Sequence, residues 1–161
     1  MFNKKQLVDV IVTALKQELQ QAIDAANEAH AAAVDDQSVA ETQYDTLAIE
    51  AGYLAEGQSK RANEFQQAID AYQALELINF NENSTIKISA LVQLSADSKS
   101  AHWFFIGPAA GGFRCQLAGQ NITVITPQSP MGIALIGKQQ GEDIEIMLGN
   151  NKLEDYIFQL N

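Results

Sequence analysis

Apolar residues near the start of the chain recur at alternating steps of four and three. The series consists of Val8, Val12, Leu15, Leu19, Ala22, Ala26, Ala29 and Ala33. This spacing keeps all of them on one face of a helix and is typical of a coiled-coil seam. The sequence therefore predicts a long first helix whose seam changes from large residues to alanine towards its end.

A second stretch with helical spacing follows. Its predicted seam consists of Tyr44, Leu47, Ala51, Leu54, Gln58, Ala62, Phe65, Ile69 and Tyr72. The spacing is too long at one step near Gly57, so we expect local unwinding or a close backbone approach at Gly52 and Gly57. The helix should end near Leu77.

Between these helices lies a short acidic turn at Val34–Glu41, which predicts an antiparallel helical hairpin. Arms of this length would hold the turn roughly 40 Å from the rest of the molecule. Ser38 and Glu41 have the spacing of a capping box and should start the second helix. The capping box explains Glu41, so Asp35 and Asp36 are the acids of the turn that local structure explains least. The alternative is that they solvate a helix end or that Asp36 itself forms a cap.

The pattern changes after a polar junction at residues 79–84. Strand signals lie at Thr85–Leu94, His102–Ile106, Gln120–Thr126, Asp143–Leu148 and Lys152–Leu160. The last two are joined by Gly149, Asn150 and Asn151, a hairpin turn signal. The sequence therefore predicts an α+β protein with a helical hairpin in residues 1–78 and a small antiparallel β domain with one short helix in residues 79–161.

That short helix is predicted from its end signals. Ser129 is suited to the N-cap, and Pro130 to the first helical position, where its missing N–H costs nothing. Met131–Ile136 would form the body and Gly137 the stop.

Charge is distributed unevenly along the chain, which carries a net charge of −10. Between Lys16 and Lys60 there is no Lys or Arg, while nine acids occur. Such a surface repels phosphate, so independent binding of DNA or RNA by the hairpin is not expected. A basic protein groove or a metal ion is the more natural partner, and a solvated face that only aids solubility is the alternative.

Other features narrow the class of protein. The single cysteine, Cys115, excludes an internal disulfide and fits a reducing compartment. No apolar run reaches the length of a membrane span, and the N-terminus has no signal-peptide pattern, so we expect a cytoplasmic protein. No metal-ligand spacing, nucleophile elbow or phosphate loop is present, which argues against an independent enzyme.

The segment Val124–Ile146, VITPQSPMGIALIGKQQGEDIEI, resembles the C-terminal domain of bacterial Gre transcription factors. Tyr44 and the Gly52–Gly57 segment are also similar to the second arm of the Gre hairpin. The resemblance implies a coiled-coil hairpin followed by an FKBP-like domain. It also implies a monomeric accessory factor that binds RNA polymerase at the rim of its secondary channel.

The resemblance further assigns roles to residues. Asp35, Asp36 and Glu41 would be the tip carboxylates, and Asp35 and Asp36 would help to hold a Mg²⁺ shared with the polymerase active site, where backtracked RNA is hydrolysed. Ser129, Pro130 and Met131 would lie at the polymerase-facing edge. The chain would have no catalytic residue and no cofactor of its own.

The tip departs from the Gre pattern, in which an Asp is followed three residues later by a Glu. Here Val39 lies three residues after Asp36, and Glu41 lies five after it. The basic residues of cleavage-active members are also absent from the hairpin. A competitor or inhibitor that occupies the same channel without cleavage is therefore the alternative within the family.

Two other classes of protein fit the sequence less well. An FKBP-like isomerase or chaperone needs an aromatic proline pocket, but the consecutive Trp103, Phe104 and Phe105 cannot all face one pocket on an alternating strand. A coiled-coil dimer is disfavoured because a helix that folds back on its own partner has already buried its seam.

Overall fold

The computed structural model describes residues 3–38 and 46–161, with side chains described for 3–34 and 49–161. Helix α1 spans Lys4–Ser38 and helix α2 spans Thr46–Gln73, and together they form a helical hairpin. A mostly antiparallel sheet with one short helix follows, so the predicted fold class is confirmed.

The chain divides into two compact units. One contains Val12–Asp70, the long part of the hairpin, and the other contains the residues up to Ile11 together with Ala71–Asn161. The predicted boundary at residues 78 and 79 stays a prediction. Among the described residues, no helix combines the length and apolar character that crossing a membrane requires.

The predicted seam of α1 is confirmed over most of its length. Its buried members are Leu15, Ala22, Ala29 and Ala33. Near the start of the helix the buried residues are instead Leu7 and Ile11, both fully inaccessible, while Val8 and Val12 are half-buried. The buried face is therefore turned by one residue in the part of α1 that belongs to the unit with the sheet.

The predicted seam of α2 is wrong at one residue, and this changes the interpretation of its glycines. Ala55 is buried, whereas Leu54 is 56% exposed. With Ala55 in the seam the described positions follow steps of three and four without a slip: Ala51, Ala55, Gln58, Ala62, Phe65, Ile69 and Tyr72.

The glycines of α2 therefore mark neither an unwound turn nor a close approach. The helix is continuous through Gly52 and Gly57. A Cβ atom built on either residue would meet nothing within 4 Å. The expectation of a special backbone at these two positions was wrong, because it rested on a seam that chose the larger Leu54 over Ala55.

The second half of the described chain forms a six-stranded sheet with strand order β3-β4-β2-β1-β6-β5. The strands are β1 (Leu91–Leu94), β2 (His102–Ile106), β3 (Arg114–Leu117), β4 (Gln120–Ile125), β5 (Asp143–Leu148) and β6 (Asn151–Leu160). A 3-10 helix lies at Ser98–Ser100, and helix α3 spans Pro130–Leu135. All neighbouring strands are antiparallel except β2 and β4, which are parallel.

Two differences from the predicted strands have local causes. β3 was missed because its sequence, RCQL, contains no β-branched or aromatic residue. β1 is shorter than the predicted Thr85–Leu94, and Ser89 just before it has a positive φ of 73°. Ile86 pairs its backbone with Gly137 and Lys138 outside the ladder.

Both faces of the sheet are covered near its centre. Phe104 and Ile106 belong to the main core cluster, which also contains Leu135 of α3 and Ile144 and Ile146 of β5. Trp103 and Phe105, which alternate with Phe104, point to the other face and are also buried. The three consecutive aromatic residues of β2 therefore do not share one pocket.

Candidate functional site

Helix α3 begins where the sequence predicts, and its first turn is fixed by one serine. The Ser129 hydroxyl donates to the Thr126 carbonyl at 2.7 Å and accepts from the Gly132 N–H at 3.0 Å. Pro130 occupies the first helical position. Both hydrogen-bonding roles of the hydroxyl are thus used inside the domain, which confirms Ser129 as the N-cap.

The close approach of α3 to the end of β4 requires a glycine. A Cβ atom on Gly132 would overlap the Thr126 carbonyl oxygen, and it would lie 2.9 Å from the Thr126 carbonyl carbon and 3.0 Å from the Pro127 Cα. These are backbone atoms, which cannot rotate away as a side chain could. Because residue 132 is a glycine, α3 can pack directly against the Thr126–Pro127 segment.

The other end of α3 is also tied to the domain. Gly137 has a φ of 87°, which favours glycine and confirms it as the predicted stop. Its N–H donates to the Ile86 carbonyl at 3.0 Å, and the Ile86 N–H donates to the Lys138 carbonyl at 2.8 Å. Both ends of the helix are therefore fixed, so its outer face is presented rigidly.

That outer face differs from the set of docking residues predicted from the sequence. Met131 is half-buried and packs against the core cluster, so most of its side chain is unavailable to a partner. Pro130 is exposed, and Ile133 is the most exposed large apolar side chain of the helix at 69%. Ile136, which was predicted to belong to the helix body, is the extended C-cap residue directly after α3 and is 38% exposed. The accessible apolar surface of α3 is thus formed by Pro130, Ile133 and Ile136.

The predicted hairpin tip is only partly described. Helix α1 continues through Ser38, so Asp35 and Asp36 lie in its last turn and the turn does not begin at Val34 as expected. Ser38 has helical backbone at the end of α1, which does not fit the predicted N-cap of the second helix. Glu41 lies outside the described residues, as do the rest of the expected turn and the carboxylates of Asp35 and Asp36.

The position of the two aspartates is electrostatically unfavourable for the helix. The carboxyl end of a helix carries partial negative charge, which favours basic side chains there and opposes acids by about 0.3–1 kcal/mol each. The last turn of α1 contains no base. Stability of α1 therefore does not account for Asp35 and Asp36.

Two side chains, Lys4 and Tyr72, hold the beginning of α1 and the end of α2 in the unit with the sheet. The Lys4 ammonium donates to the Ile78 carbonyl at 2.7 Å and lies 4.6 Å from the Phe80 ring centre. The buried Tyr72 hydroxyl donates to the Ala109 carbonyl at 2.8 Å. Burial lowers the pKa of Lys4 to about 8 and raises the pKa of Tyr72.

No protein-family model and no curated protein matches the sequence. Among solved structures, the crystal structure of GreA factor homolog 1 (Gfh1) of Thermus thermophilus is 17% identical, covers 93% of this chain and 94% of its own, and gives a TM-score of 0.36. A structure of the transcription factor Gfh1 is 19% identical, covers 92% of both chains and gives a TM-score of 0.35. The crystal structure of Gfh1 of Thermus aquaticus is 17% identical, covers 92% of both chains and gives a TM-score of 0.33. Scores this low support no conclusion about function.

The described side chains form no metal centre. Within residues 3–34 and 49–161, no three His, Cys, Asp or Glu side chains come together as metal ligands. The carboxylates of Asp35 and Asp36 lie outside that part of the chain. Their shared Mg²⁺ therefore stays a prediction.

Sequence reasoning missed the exposed apolar residues of the hairpin. Tyr53 is 71% exposed, Leu54 56% and Ile49 57%, and Ile49 and Tyr53 are one helical turn apart on α2. The sequence pattern places Leu54 in the seam, and Tyr53 stands out only as part of the segment that resembles Gre sequence. The signal that could have found them is the heptad itself, since a regular seam through Ala51, Ala55 and Gln58 leaves all three outside it.

Proposed function

We propose that this chain is a Gre-like regulator of transcription that binds RNA polymerase. Its β domain docks at the rim of the secondary channel, and its acidic hairpin enters that channel. The observation that carries the proposal is the fold of Val124–Ile146, the segment that resembles Gre proteins. It forms the end of β4, a serine-capped α3, a glycine stop at Gly137 and then β5.

Docking is assigned to the outer face of α3, formed by Pro130, Ile133 and Ile136. A rigid apolar surface that is exposed in the free protein loses water when a partner covers it, and burying one large aliphatic side chain contributes about 1.5–3 kcal/mol. Ser129 and Met131 act indirectly, since one caps the helix and the other anchors it to the core.

The hairpin is assigned to the channel because of its charge and its exposed apolar residues. Nine acids and no Lys or Arg lie between Lys16 and Lys60. A long acidic element is attracted by a basic groove and is repelled by free nucleic acid. The exposed Tyr53 and Leu54 on α2 supply apolar contacts that acidic side chains cannot make.

At the tip, Asp35, Asp36 and Glu41 are proposed to act on the polymerase active site. Carboxylate oxygens suit Mg²⁺, and a second metal ion can stabilise the attacking and leaving oxygens of a phosphodiester cleavage. The protein would then be an accessory factor and not an enzyme by itself, and any Mg²⁺ would be held jointly with the polymerase.

A stalled, backtracked elongation complex tests this proposal. The purified protein is added, and both binding and release of short 3′ RNA fragments are measured. We expect binding, and Asp35→Ala with Asp36→Ala should abolish any effect on cleavage while binding persists. Asp24→Ala with Glu28→Ala is the matched control, since it removes the same charge from α1 away from the tip and should leave cleavage unchanged.

A second candidate function is favoured by the spacing at the tip. Because Val39 takes the position at which Gre proteins usually carry a glutamate, the chain could occupy the channel and block cleavage. In the same experiment, binding without fragments, together with loss of cleavage stimulated by another factor, supports this competitor. Absence of binding rejects both candidates, and cleavage that survives the double substitution rejects the assignment of the tip.

A further inference from the structure

A cluster of polar side chains lies on one face of β2, β4 and β3. Arg114 pairs with Thr123 and Gln116 with Asn121 across β3 and β4, while Asn121 pairs with His102 across β4 and β2. Residues paired across strands point to the same face. Five polar side chains therefore share this end of the sheet.

Hydrogen bonds connect part of this cluster into a chain. His102 Nδ1 lies 3.3 Å from Asp97 Oδ1, and His102 Nε2 lies 2.8 Å from Thr123 Oγ1. The ring is supported by Phe104, whose centre is 4.6 Å away. The imidazole is thus held in one orientation with an acid on one side and a hydroxyl on the other.

The cluster borders an open cavity of about 640 Å³. Its lining includes His102, Arg114, Gln116 and Thr123 but no carboxylate from the described residues. Arg114 is exposed and forms no ion pair within the described part of the chain, whereas Arg61 of the hairpin is paired with Glu18 at 3.5 Å. In a strongly acidic protein, this cavity therefore combines an uncommitted guanidinium with other side chains that can form hydrogen bonds.

We propose that this cavity binds the phosphate group of a small, nucleotide-sized ligand. A guanidinium offers two parallel N–H donors to phosphate oxygens, and phosphate has enough oxygens to accept from a neighbouring hydroxyl at the same time. Arg114 and Thr123 are direct partners across the strands, so their side chains start about 5 Å apart. The cavity is large enough for a base and sugar attached to that phosphate.

The Thr123 hydroxyl borders the cavity and contacts His102 Nε2 at 2.8 Å, so the imidazole holds the hydroxyl in place beside its cross-strand partner Arg114.

The proposal is independent of polymerase binding and is tested on the free protein. Titrations with inorganic phosphate and with AMP are followed by ¹⁵N-resolved NMR of Arg114 and Thr123 at constant ionic strength. We expect both to bind, with AMP at least about tenfold tighter. Arg114→Ala should weaken binding about tenfold or more, while Lys99→Ala, which removes an exposed charge outside the cavity lining, should change it less than about twofold.

One further variant tests the hydroxyl. Thr123→Val keeps the shape of the side chain and should weaken phosphate binding. Acetate binding as tight as phosphate, equal loss in Lys99→Ala and Arg114→Ala, or unchanged phosphate binding in Thr123→Val would each overturn the proposal. Equal affinity for phosphate and AMP would overturn the nucleotide-sized ligand.

Discussion

Substitution of Gly132 by alanine tests whether α3 is held as tightly as the structure indicates. The added methyl group would overlap the Thr126 carbonyl oxygen and lie 2.9 Å and 3.0 Å from two further backbone atoms. The helix and the Thr126–Pro127 segment must then separate by about 1 Å. In a close-packed interior such a shift costs about 1–3 kcal/mol. It also weakens the cap between Ser129 and the residue-132 N–H, which contributes about 1 kcal/mol.

The expected loss of unfolding free energy is therefore about 2–4 kcal/mol. Urea denaturation followed by the fluorescence of Trp103 isolates the domain concerned, since this is the only tryptophan in the chain. With a typical urea dependence, the midpoint should fall by roughly 2 M. Gly57→Ala is the control, because its methyl group meets no neighbour within 4 Å. A midpoint for Gly132→Ala within about 0.3 M of the parent would refute the reasoning.

Three further predictions concern the helices. Gly52→Ala and Gly57→Ala should each stabilise the hairpin by about 1 kcal/mol, which raises the midpoint of unfolding followed by the circular dichroism of the helices. A lower midpoint would contradict the open surroundings of these residues. The pKa of Lys4 is about 8 in the folded protein and 10.5 ordinarily, so between these pH values the unfolded chain binds more protons than the folded one. The free energy of unfolding should therefore rise with pH over this range. Lys4→Met should flatten the rise, and an unchanged slope would argue against Lys4 as its source. Tyr72→Phe removes the donor to the Ala109 carbonyl and should cost about 1 kcal/mol in urea denaturation, so full stability in this variant would show that the bond contributes nothing.

Local chemistry in the sequence was sufficient for the elements whose ends carry a signal. The start of α3 at Ser129 and Pro130 and its stop at Gly137 follow from capping rules and are confirmed. The two-residue turn between β5 and β6 follows from Gly149 and Asn150. In each case the deciding interactions lie within a few residues of one another.

Features that depend on distant residues could not be predicted in this way. The polar sequence of β3 becomes a strand because β4 supplies a ladder for it. The contact of His102 with Thr123 depends on the parallel pairing of β2 with β4, which no local pattern announces.

The candidate docking face could likewise be predicted only in part. The sequence predicts the segment and the N-cap of α3, whereas the assignment of Ser129, Pro130 and Met131 to docking rests on the resemblance alone. Burial then separates the residues that hold α3 from those that a partner could reach. Gly132 and Leu135 face inward, and Ile133 faces out.

The most direct test of the account is the binding of the purified chain to RNA polymerase, with two matched variants. Ile133→Ser removes the exposed apolar side chain of α3, and Met147→Ser removes a similarly exposed one, 58% accessible, from the opposite face of the sheet. The account predicts that the parent binds, that Ile133→Ser weakens binding about tenfold or more, and that Met147→Ser binds as the parent does. No binding by the parent, or equal affinity of all three proteins, would contradict it.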